Sequence, residues 1–470
     1  MAQWLVLLNN LIVAYYSLAL SAYGLLIVAA LWSSSRHRKA LKGQTMQPFL
    51  VSTLTPPVSI LVPAYNEEST ISESVRSLLR LQYPALEVVV INDGSTDDTL
   101  QSLCRDFALV PTRLVYRPEA PSATIRSIYI SLTEPHLIVI DKENGGKSDA
   151  LNAGLNLARS PYFCTVDADA VLESDALVRV MLPVLNSRSL VIASGGIVRV
   201  VNGCRIENGV VREVHLPRRP IEVLQVVEYL RGFLFGREGW SALNSLLIIS
   251  GAFGVFSRKV ALEVGGYRRN TVGEDMDLVV RMHRHMCDAG RPYRVVFIPD
   301  PVCWTEAPWN LRLLARQRRR WQKGLLDVLW QNRRMMFNPR YGRVGLIGFP
   351  YQVAVELLGP IVEAIGIFSI IASAILGIFG RFPLLYLLLF AYLAGSIISL
   401  AAVLLEELTY RRYSKLRELF RLLVYAFLDF FPYRQFLVVC RIWGMVEYFR
   451  RPHTWGEQRR KGFLSRVVPG

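Results

Sequence analysis

Apolar positions follow two patterns along this chain. At both ends they form long uncharged runs, and in the middle they come as short blocks between amphipathic stretches. Leu11 to Trp32 is 22 residues without a charge. A helix needs about 20 apolar residues to cross a hydrocarbon core, so this run predicts a span. Arg36-His37-Arg38-Lys39 follows at once, and basic residues mark the cytoplasmic flank. The N-terminus is therefore expected outside a plasma (inner) membrane, with residue 36 onward in the cytoplasm. A cleaved signal peptide fits less well, because the run is too long and no basic segment precedes it. After about residue 340 the long runs return. Ala364 to Phe379 is uncharged, Phe382 to Leu405 is 24 residues without a charge, and Gly380-Arg381 between them reads as a tight external turn. Arg411-Arg412, Lys415 and Arg417 mark a cytoplasmic return. Phe420 to Phe449 is apolar but carries Arg421, Asp429, Arg434 and Arg441, with Pro432 in the middle. It predicts two short helices, forming a hairpin or lying at the interface, and a cytoplasmic C-terminus.

From Pro57 the short blocks begin. Val58 to Val62, Glu87 to Ile91, Leu137 to Ile140, Tyr162 to Val166 and Leu190 to Ala193 read as strands. Ser69 to Leu81 reads as a helix that Ser69 and Thr70 can cap. Strand and helix alternating at this spacing predict an α/β fold, a doubly wound and mostly parallel sheet. Ligands of such sheets bind outside the carboxyl ends of the strands. The expected organisation is an N-terminal transmembrane helix (1–35), a linker (36–56), a cytosolic α/β domain (57–308), an amphipathic interface helix (309–343), C-terminal transmembrane and interface helices (344–449) and a cytosolic tail (450–470).

Composition agrees with membrane segments: hydrophobic residues are 52% of 470 and the mean hydropathy is +0.28. The net charge of +16 suits cytoplasmic loops and lipid headgroups. No helix-turn-helix, zinc-finger or aromatic RNA-binding signature accompanies it, so no nucleic acid is expected. The six cysteines form no Cys-x-x-Cys pair and read as reduced thiols.

The candidate chemistry lies at strand ends and helix starts. Pro63-Ala64-Tyr65-Asn66-Glu67-Glu68 follows the first strand, where an aromatic ring among polar groups can stack a base and hydrogen-bond a ribose. The same residues also make an ordinary turn. Asp93, in Asn92-Asp93-Gly94-Ser95-Thr96-Asp97-Asp98, can accept from a base or ribose, although Asp-Gly turns are common. Asn144-Gly145-Gly146-Lys147 puts a lysine at a helix start and suits an anion; a plain loop with a surface lysine is the alternative. Asp167-Ala168-Asp169 ends a strand, and two carboxylates there suit Mg²⁺ or Mn²⁺ with a diphosphate. Glu274-Asp275-Met276-Asp277 opens a helix, where acids also simply complement the dipole. The small-residue run Ser250 to Gly254, with Gly273, leaves room beside these acids for an acceptor. Gln317, Arg320, Trp321 and Gly324 share one helix face. A guanidinium and an indole there suit a diphosphate and a sugar ring. Arg316, Arg318 and Arg319 are expected to lie on anionic lipid instead.

Together these motifs resemble the processive family 2 glycosyltransferases, the group containing cellulose, chitin, hyaluronan and poly-N-acetylglucosamine synthases. The matching pieces are Pro-x-Tyr-Asn-Glu, Asp-Gly-Ser-x-Asp, Gly-Lys-x-x-Ala-Leu-Asn, Asp-x-Asp, Glu-Asp and Gln-x-x-Arg-Trp, in this order over roughly residues 57–330. The resemblance implies a nucleotide-sugar-binding fold of the GT-A type. It implies donor contacts at Pro63, Tyr65, Glu67, Asp93, Lys147 and Asp167, and Mg²⁺ or Mn²⁺ at Asp167 and Asp169. It implies Asp275 as general base beside Glu274, and Gln317, Arg320 and Trp321 between polymer and diphosphate. One departure stands out: the usual Thr-Glu-Asp reads Gly273-Glu274-Asp275.

The implied activity is inverting β-transfer from a UDP-sugar to a growing polysaccharide, extruded through the C-terminal helices with accessory secretion subunits as partners. A lipid-linked acceptor is the alternative within that class, and a non-catalytic nucleotide-sugar-binding or translocation subunit is the alternative outside it. Glu356 and Glu363 share a face in the apolar stretch Val344 to Phe379. Charges inside spans face protein or water, so Glu363, and with it Glu356, is expected to line a path leading outward from Trp321. An interfacial Glu356 that merely faces water is the plainer reading.

Overall fold

The computed structural model describes residues 2–42, 55–207, 209–377, 381–410, 413 and 415–450. Its strands are β1 (Val58–Ala64), β2 (Leu86–Asp93), β3 (Leu109–Thr112), β4 (Ile125–Ser131), β5 (Leu137–Lys142), β6 (Tyr162–Val166), β7 (Val171–Leu172), β8 (Leu190–Val200), β9 (Arg205–Glu207), β10 (Val210–Glu213), β11 (Phe253–Ser257) and β12 (Tyr293–Thr305). Ten of them form one sheet in the order β3-β4-β5-β2-β1-β6-β11-β8-β12-β7.

The centre of that sheet, β5-β2-β1-β6, is wholly parallel. Its strands are runs of Val, Ile and Leu buried on both faces, as a sheet covered by helices on each side requires. Helices α2 (Ile71–Leu79), α3 (Thr99–Asp106) and α4 (Lys147–Leu157) lie between its strands in sequence. Thr70 stands at the start of α2 but does not cap it; its hydroxyl donates to Glu67 at 2.8 Å.

Outside this core the sheet is mixed. β11 enters antiparallel between β6 and β8, and β12 runs parallel to β8. The sequence pattern did not reveal β11, which follows a small-residue loop, or β12, which Pro299, Asp300 and Pro301 interrupt with a shift of register. The insertion at 202–219 holds the separate hairpin β9–β10.

The remaining helices are α1 (Ala2–Lys42), α5 (Ala176–Asn186), α6 (Pro220–Leu230), α7 (Glu238–Ala242), α8 (Arg258–Glu263), α9 (Glu274–Asp288), α10 (Leu311–Gln331), α11 (Val344–Leu357), α12 (Gly359–Ile375), α13 (Arg381–Tyr410), α14 (Leu416–Leu428) and α15 (Arg434–Arg450). Within the described residues, Gln3–His37 and Leu416–Arg450 are long and apolar enough to cross a membrane. α11 and α12, bent by 43°, make a further candidate. α13 covers the uncharged run Phe382 to Leu405. α14 and α15 are parted where Phe431 is extended beside Pro432. Helix α1 continues through residues 36–42, which were expected to begin a linker. The rest of that linker (43–54), Gly380 of the external turn, Arg411-Arg412 and the tail from 451 lie outside the described residues.

Buried charges tie the α/β domain to these helices. His37 of α1 meets Asp300 at 2.5 Å, and Arg179 reaches the same carboxylate at 3.2 Å. Ser34 donates to Glu238 at 2.7 Å. Arg199 of β8 pairs with Glu406 of α13, both buried. The backbone N–H of Leu216 and the ring of His215 meet Glu418 of α14. Breaking one partner of a buried pair leaves the other charge uncompensated, so these contacts resist separation of the two parts.

His283 fixes α9 inside the domain. Its Nε2 donates to the Leu246 carbonyl, and its Nδ1 accepts from the Tyr293 hydroxyl, each at 2.8 Å. Burial pushes this imidazole from its ordinary 6.5 down to about 4. The folded state thus refuses a proton that the unfolded chain takes up. Stability is fully present above pH 6.5 and is lost as pH falls toward 4. The thermal midpoint of purified protein is expected to fall across that window, and to fall less in His283→Gln. Identical pH profiles for the two proteins would remove His283 as the titrating group.

Candidate active site

Asp93 is the last residue of β2. Gly94 follows with φ +66, and a Cβ there would lie 2.7 Å from the Asn144 backbone nitrogen, so only glycine lets the two loops meet. The Asp93 carboxylate accepts from Lys142 Nζ (2.5 Å) and from the N–H groups of Gly145 (3.0 Å) and Gly146 (2.7 Å). Lys142 is fully buried and also pairs with Asp149 at 2.6 Å. Asp93 was expected to accept from a base or ribose. It borders the cavity, and the three donors on its oxygens also shape the glycine loop there. Pro63 near the end of β1, and Tyr65 and Glu67 just after it, border the same cavity. Asn66 links their loop to the next by accepting from the Thr96 N–H at 2.8 Å.

The charges converge on Lys147, the first residue of α4. Its Nζ lies 2.6 Å from Asp167 and 3.4 Å from Glu274, and donates to the Gly251 carbonyl at 3.3 Å. Burial pulls this ammonium down, but Asp167 and Glu274 outweigh it and hold the group above the ordinary lysine value. Burial pushes Glu274 up, against the pull of Lys147 and with the push of Asp275. Asp275 is aimed by backbone: one oxygen accepts from the Gly251 N–H at 3.0 Å, the other from the Met276 N–H at 2.8 Å. The antiparallel pairing of Phe253 with Val166 brings the 250–252 loop beside Asp167. A side chain at Gly251 would sit 3.3 Å from both the Asp275 carboxylate and Lys147 Nζ.

Asp169 is buried two residues beyond Asp167. No three His, Cys, Asp or Glu side chains among the described residues converge as a metal cage. Two carboxylates nevertheless fit Mg²⁺ or Mn²⁺, which take further oxygens from phosphate and water. Asp167 already holds one cation, the Lys147 ammonium.

Helix α10 closes the site, capped by Asn310, whose side chain accepts from the Leu313 N–H at 2.8 Å. Gln317, Arg320 and Trp321 border the cavity, and the Gln317 carbonyl oxygen is buried there with no hydrogen-bond partner among the described residues. The three arginines expected on lipid are placed otherwise. Arg318 is buried, pairs with Glu228 at 2.8 Å and lies over the Trp321 ring at 4.2 Å. Arg319 meets Glu447 of α15 at 2.6 Å, and Arg316 borders the cavity. The reason is the close packing of α15 on α10, where a Cβ on Gly444 would fall 2.7 Å from the Arg319 carbonyl oxygen.

Gly273 has a structural reason. It lies back to back with Gly324 of α10, and a Cβ on either would meet the other's backbone at 3.1 or 3.0 Å. Thr271 reinforces the contact by donating to Asp327 of α10 at 2.7 Å. The start of the helix that carries Asp275 and the helix that carries Trp321 thus touch backbone to backbone.

Two groups of residues were not found from the sequence. Between α6 and α7 the helix widens into a π-helical segment, Arg231–Arg237, whose Gly232 and Gly236 face open space. Its Arg237 lies over the Phe233 ring at 4.0 Å and borders the cavity that Asp275 also borders. Trp240 and Tyr351 stack edge to face at 4.8 Å in the same wall. No periodicity announces a π-helical segment. The cavity, about 1560 Å³, continues from these residues between the apolar helices α1, α12 and α15 past Glu356 and Glu363. Those acids pair with Arg441 (3.3 Å) and Arg434 (3.0 Å) of α15.

Comparison with known proteins adds the following. A family model described as glycosyl transferase family 2 matches residues 59–261, and one described as glycosyl transferase family group 2 matches residues 163–405. Poly-beta-1,6-N-acetyl-D-glucosamine synthase of Staphylococcus aureus is 26% identical over 272 residues, 58% of this chain and 55% of that protein. The synthase of the same name from Staphylococcus epidermidis is also 26% identical, over 273 residues. The chain spans about half the length of these relatives. A solved structure of the mannosyltransferase PcManGT from Pyrobaculum calidifontis, in complex with GDP-Man and Mn²⁺, aligns with TM-score 0.52 at 20% identity, covering 90% of this chain and 99% of that one. That likeness shows the fold.

The glycine contact yields a test. Gly273→Thr restores the residue usual at that position but forces Cβ and more into the Gly324 backbone, an overpacking of about 1–3 kcal/mol. Nucleotide binding is expected to stay within a factor of about three while turnover falls about tenfold or more, because Asp275 moves against Trp321. Unchanged turnover would show that the contact does not set the active geometry.

Proposed function

The chain belongs to the family 2 glycosyl transferases, and on that premise we propose that it is a membrane-embedded inverting β-glycosyltransferase. It uses a UDP-sugar and builds a polysaccharide processively from the cytoplasmic side. The observation that carries this reading is the single cavity that joins the Lys147–Asp167–Asp275 cluster to a path between membrane helices. Polar pairs and aromatic rings along that path suit a hydroxyl-rich chain.

In this reading the acceptor hydroxyl gives its proton to Asp275 as its oxygen bonds to the anomeric carbon. The bond from that carbon to the diphosphate breaks on the opposite face, and its electron pair leaves with the diphosphate. Arg320 and Lys147 face the charge that develops there. Asp167 and Asp169 would hold Mg²⁺ or Mn²⁺, which when bound neutralises charge on the diphosphate. The mannosyltransferase of shared fold, solved with a nucleotide sugar and Mn²⁺, supports that choice. Glu274 keeps Lys147 in place between the carboxylates. Tyr65 offers a ring for the base, and Trp321 a face for the acceptor sugar. Accessory secretion subunits remain expected partners. A second reading, transfer to a lipid-linked acceptor, is favoured by the apolar membrane part of the cavity, where Ile12, Val13, Ile367 and Ile370 line it.

Purified protein in lipid, given a panel of radiolabelled UDP-sugars with Mg²⁺ or Mn²⁺, is expected to transfer one of them into product. Sizing that product separates polymer from glycolipid. Chelator should stop the reaction. Asp275→Asn should bind UDP normally yet lose a factor of about 10² to 10⁴ in rate. No transfer from any UDP-sugar, or Asp275→Asn at more than about a tenth of wild-type rate, would overturn the reading.

A further inference from the structure

Arg237 is a half-buried cation with one buried donor left unanswered. Its guanidinium lies on the Phe233 ring at 4.0 Å, and its Nη1 is buried with no hydrogen bond among the described residues. An unsatisfied buried donor is costly, and more so when charged, so such a group persists where something else is to be bound. The segment that carries it is π-helical, a distortion that recurs at functional sites. Gly232 and Gly236 leave the adjacent wall bare, since a Cβ on either would meet nothing within 4 Å. Phe233, Trp240 and Tyr351 supply aromatic surface in that wall.

A sugar ring has an apolar face of C–H groups and an edge of hydroxyls. The wall offers aromatic rings for the first and a guanidinium with an unanswered Nη1 for the second, in the cavity that Asp275 also lines. We propose that Arg237 belongs to the acceptor site: it donates a hydrogen bond to the oxygen of the attacking acceptor hydroxyl while Asp275 takes that hydroxyl's proton. This rests on the transferase reading given above and adds a named residue to its acceptor side. The electron balance is that of the transfer itself. One O–H bond breaks toward Asp275, one bond forms from that oxygen to the anomeric carbon, and the diphosphate leaves with the electron pair. Arg237 remains protonated throughout and stabilises the negative charge that builds on the oxygen. Burial lowers it only to about 10, so it is charged at neutral pH.

The test compares two products of the same donor. UDP release counts every donor cleaved, and incorporated sugar counts only those passed to an acceptor rather than to water. Arg237→Gln is expected to bind UDP as wild type does, because the donor side is untouched. Its ratio of UDP released to sugar incorporated should rise about tenfold or more, the range for a lost hydrogen bond from a charged group. Arg237→Lys keeps the charge but not the fork, and should raise the ratio less. If Arg237→Gln does not fold, the Lys variant alone decides, because a raised ratio in it supports the proposal and a wild-type ratio overturns it. Release and incorporation falling together, at constant ratio, would assign Arg237 a structural part only and overturn the proposal. A wild-type enzyme that neither releases UDP nor incorporates sugar from any UDP-sugar would instead defeat the transferase reading itself.

Discussion

One ammonium group holds the candidate active site in shape. Lys147 Nζ touches Asp167 from β6, Glu274 from α9 and the Gly251 carbonyl from the loop before β11. Without it, three carboxylates would crowd one partly dehydrated space, and their repulsion in a low dielectric would push the elements apart. With it, Gly251 can turn its N–H toward Asp275 and fix one carboxylate oxygen. The position of Lys147 is set in turn by Asp93 and Lys142, which close the glycine loop ahead of α4. A chain of paired charges, buried or half-buried, runs from the edge of β2 to the start of α9.

The same economy joins the centre to the membrane helices. The Gly273–Gly324 contact removes side chains where the base loop and α10 must approach, and Gly444 does so where α10 meets α15. Arg434 and Arg441, on α15, then neutralise Glu363 and Glu356 across the cavity. Close backbone packing therefore passes geometry from Asp275 through α10 to the walls of the path. Buried pairs on the other side, His37 with Asp300 and Arg199 with Glu406, hold the sheet against α1 and α13.

Much of this was legible in the sequence for definite reasons. Val58 to Val62 and Glu87 to Ile91 are runs that only a strand buried on both faces needs, so the parallel centre could be read directly. Asp93, Asp167 and Asp275 stood out because they follow one another in a fixed order at strand ends and a helix start, within the motifs Asp-Gly-Ser-x-Asp, Asp-x-Asp and Glu-Asp. The antiparallel insertion of β11 was not legible, since five residues after a small-residue loop carry no period of their own. Arg318 was misread as lipid-facing because its partner, Glu228, is 90 residues away. Arg237 escaped for a similar reason: a π-helical segment breaks the 3.6-residue period, and its relation to Asp275 exists only in three dimensions.

The central claim is that one cavity serves both transfer and export. Proteoliposomes with the α/β domain outward, supplied with radiolabelled UDP-sugar from outside and then treated with a glycosidase that cannot cross lipid, test it directly. The account predicts that labelled polymer resists digestion until detergent opens the vesicles. Polymer made at the normal rate but digested fully in intact vesicles would contradict it.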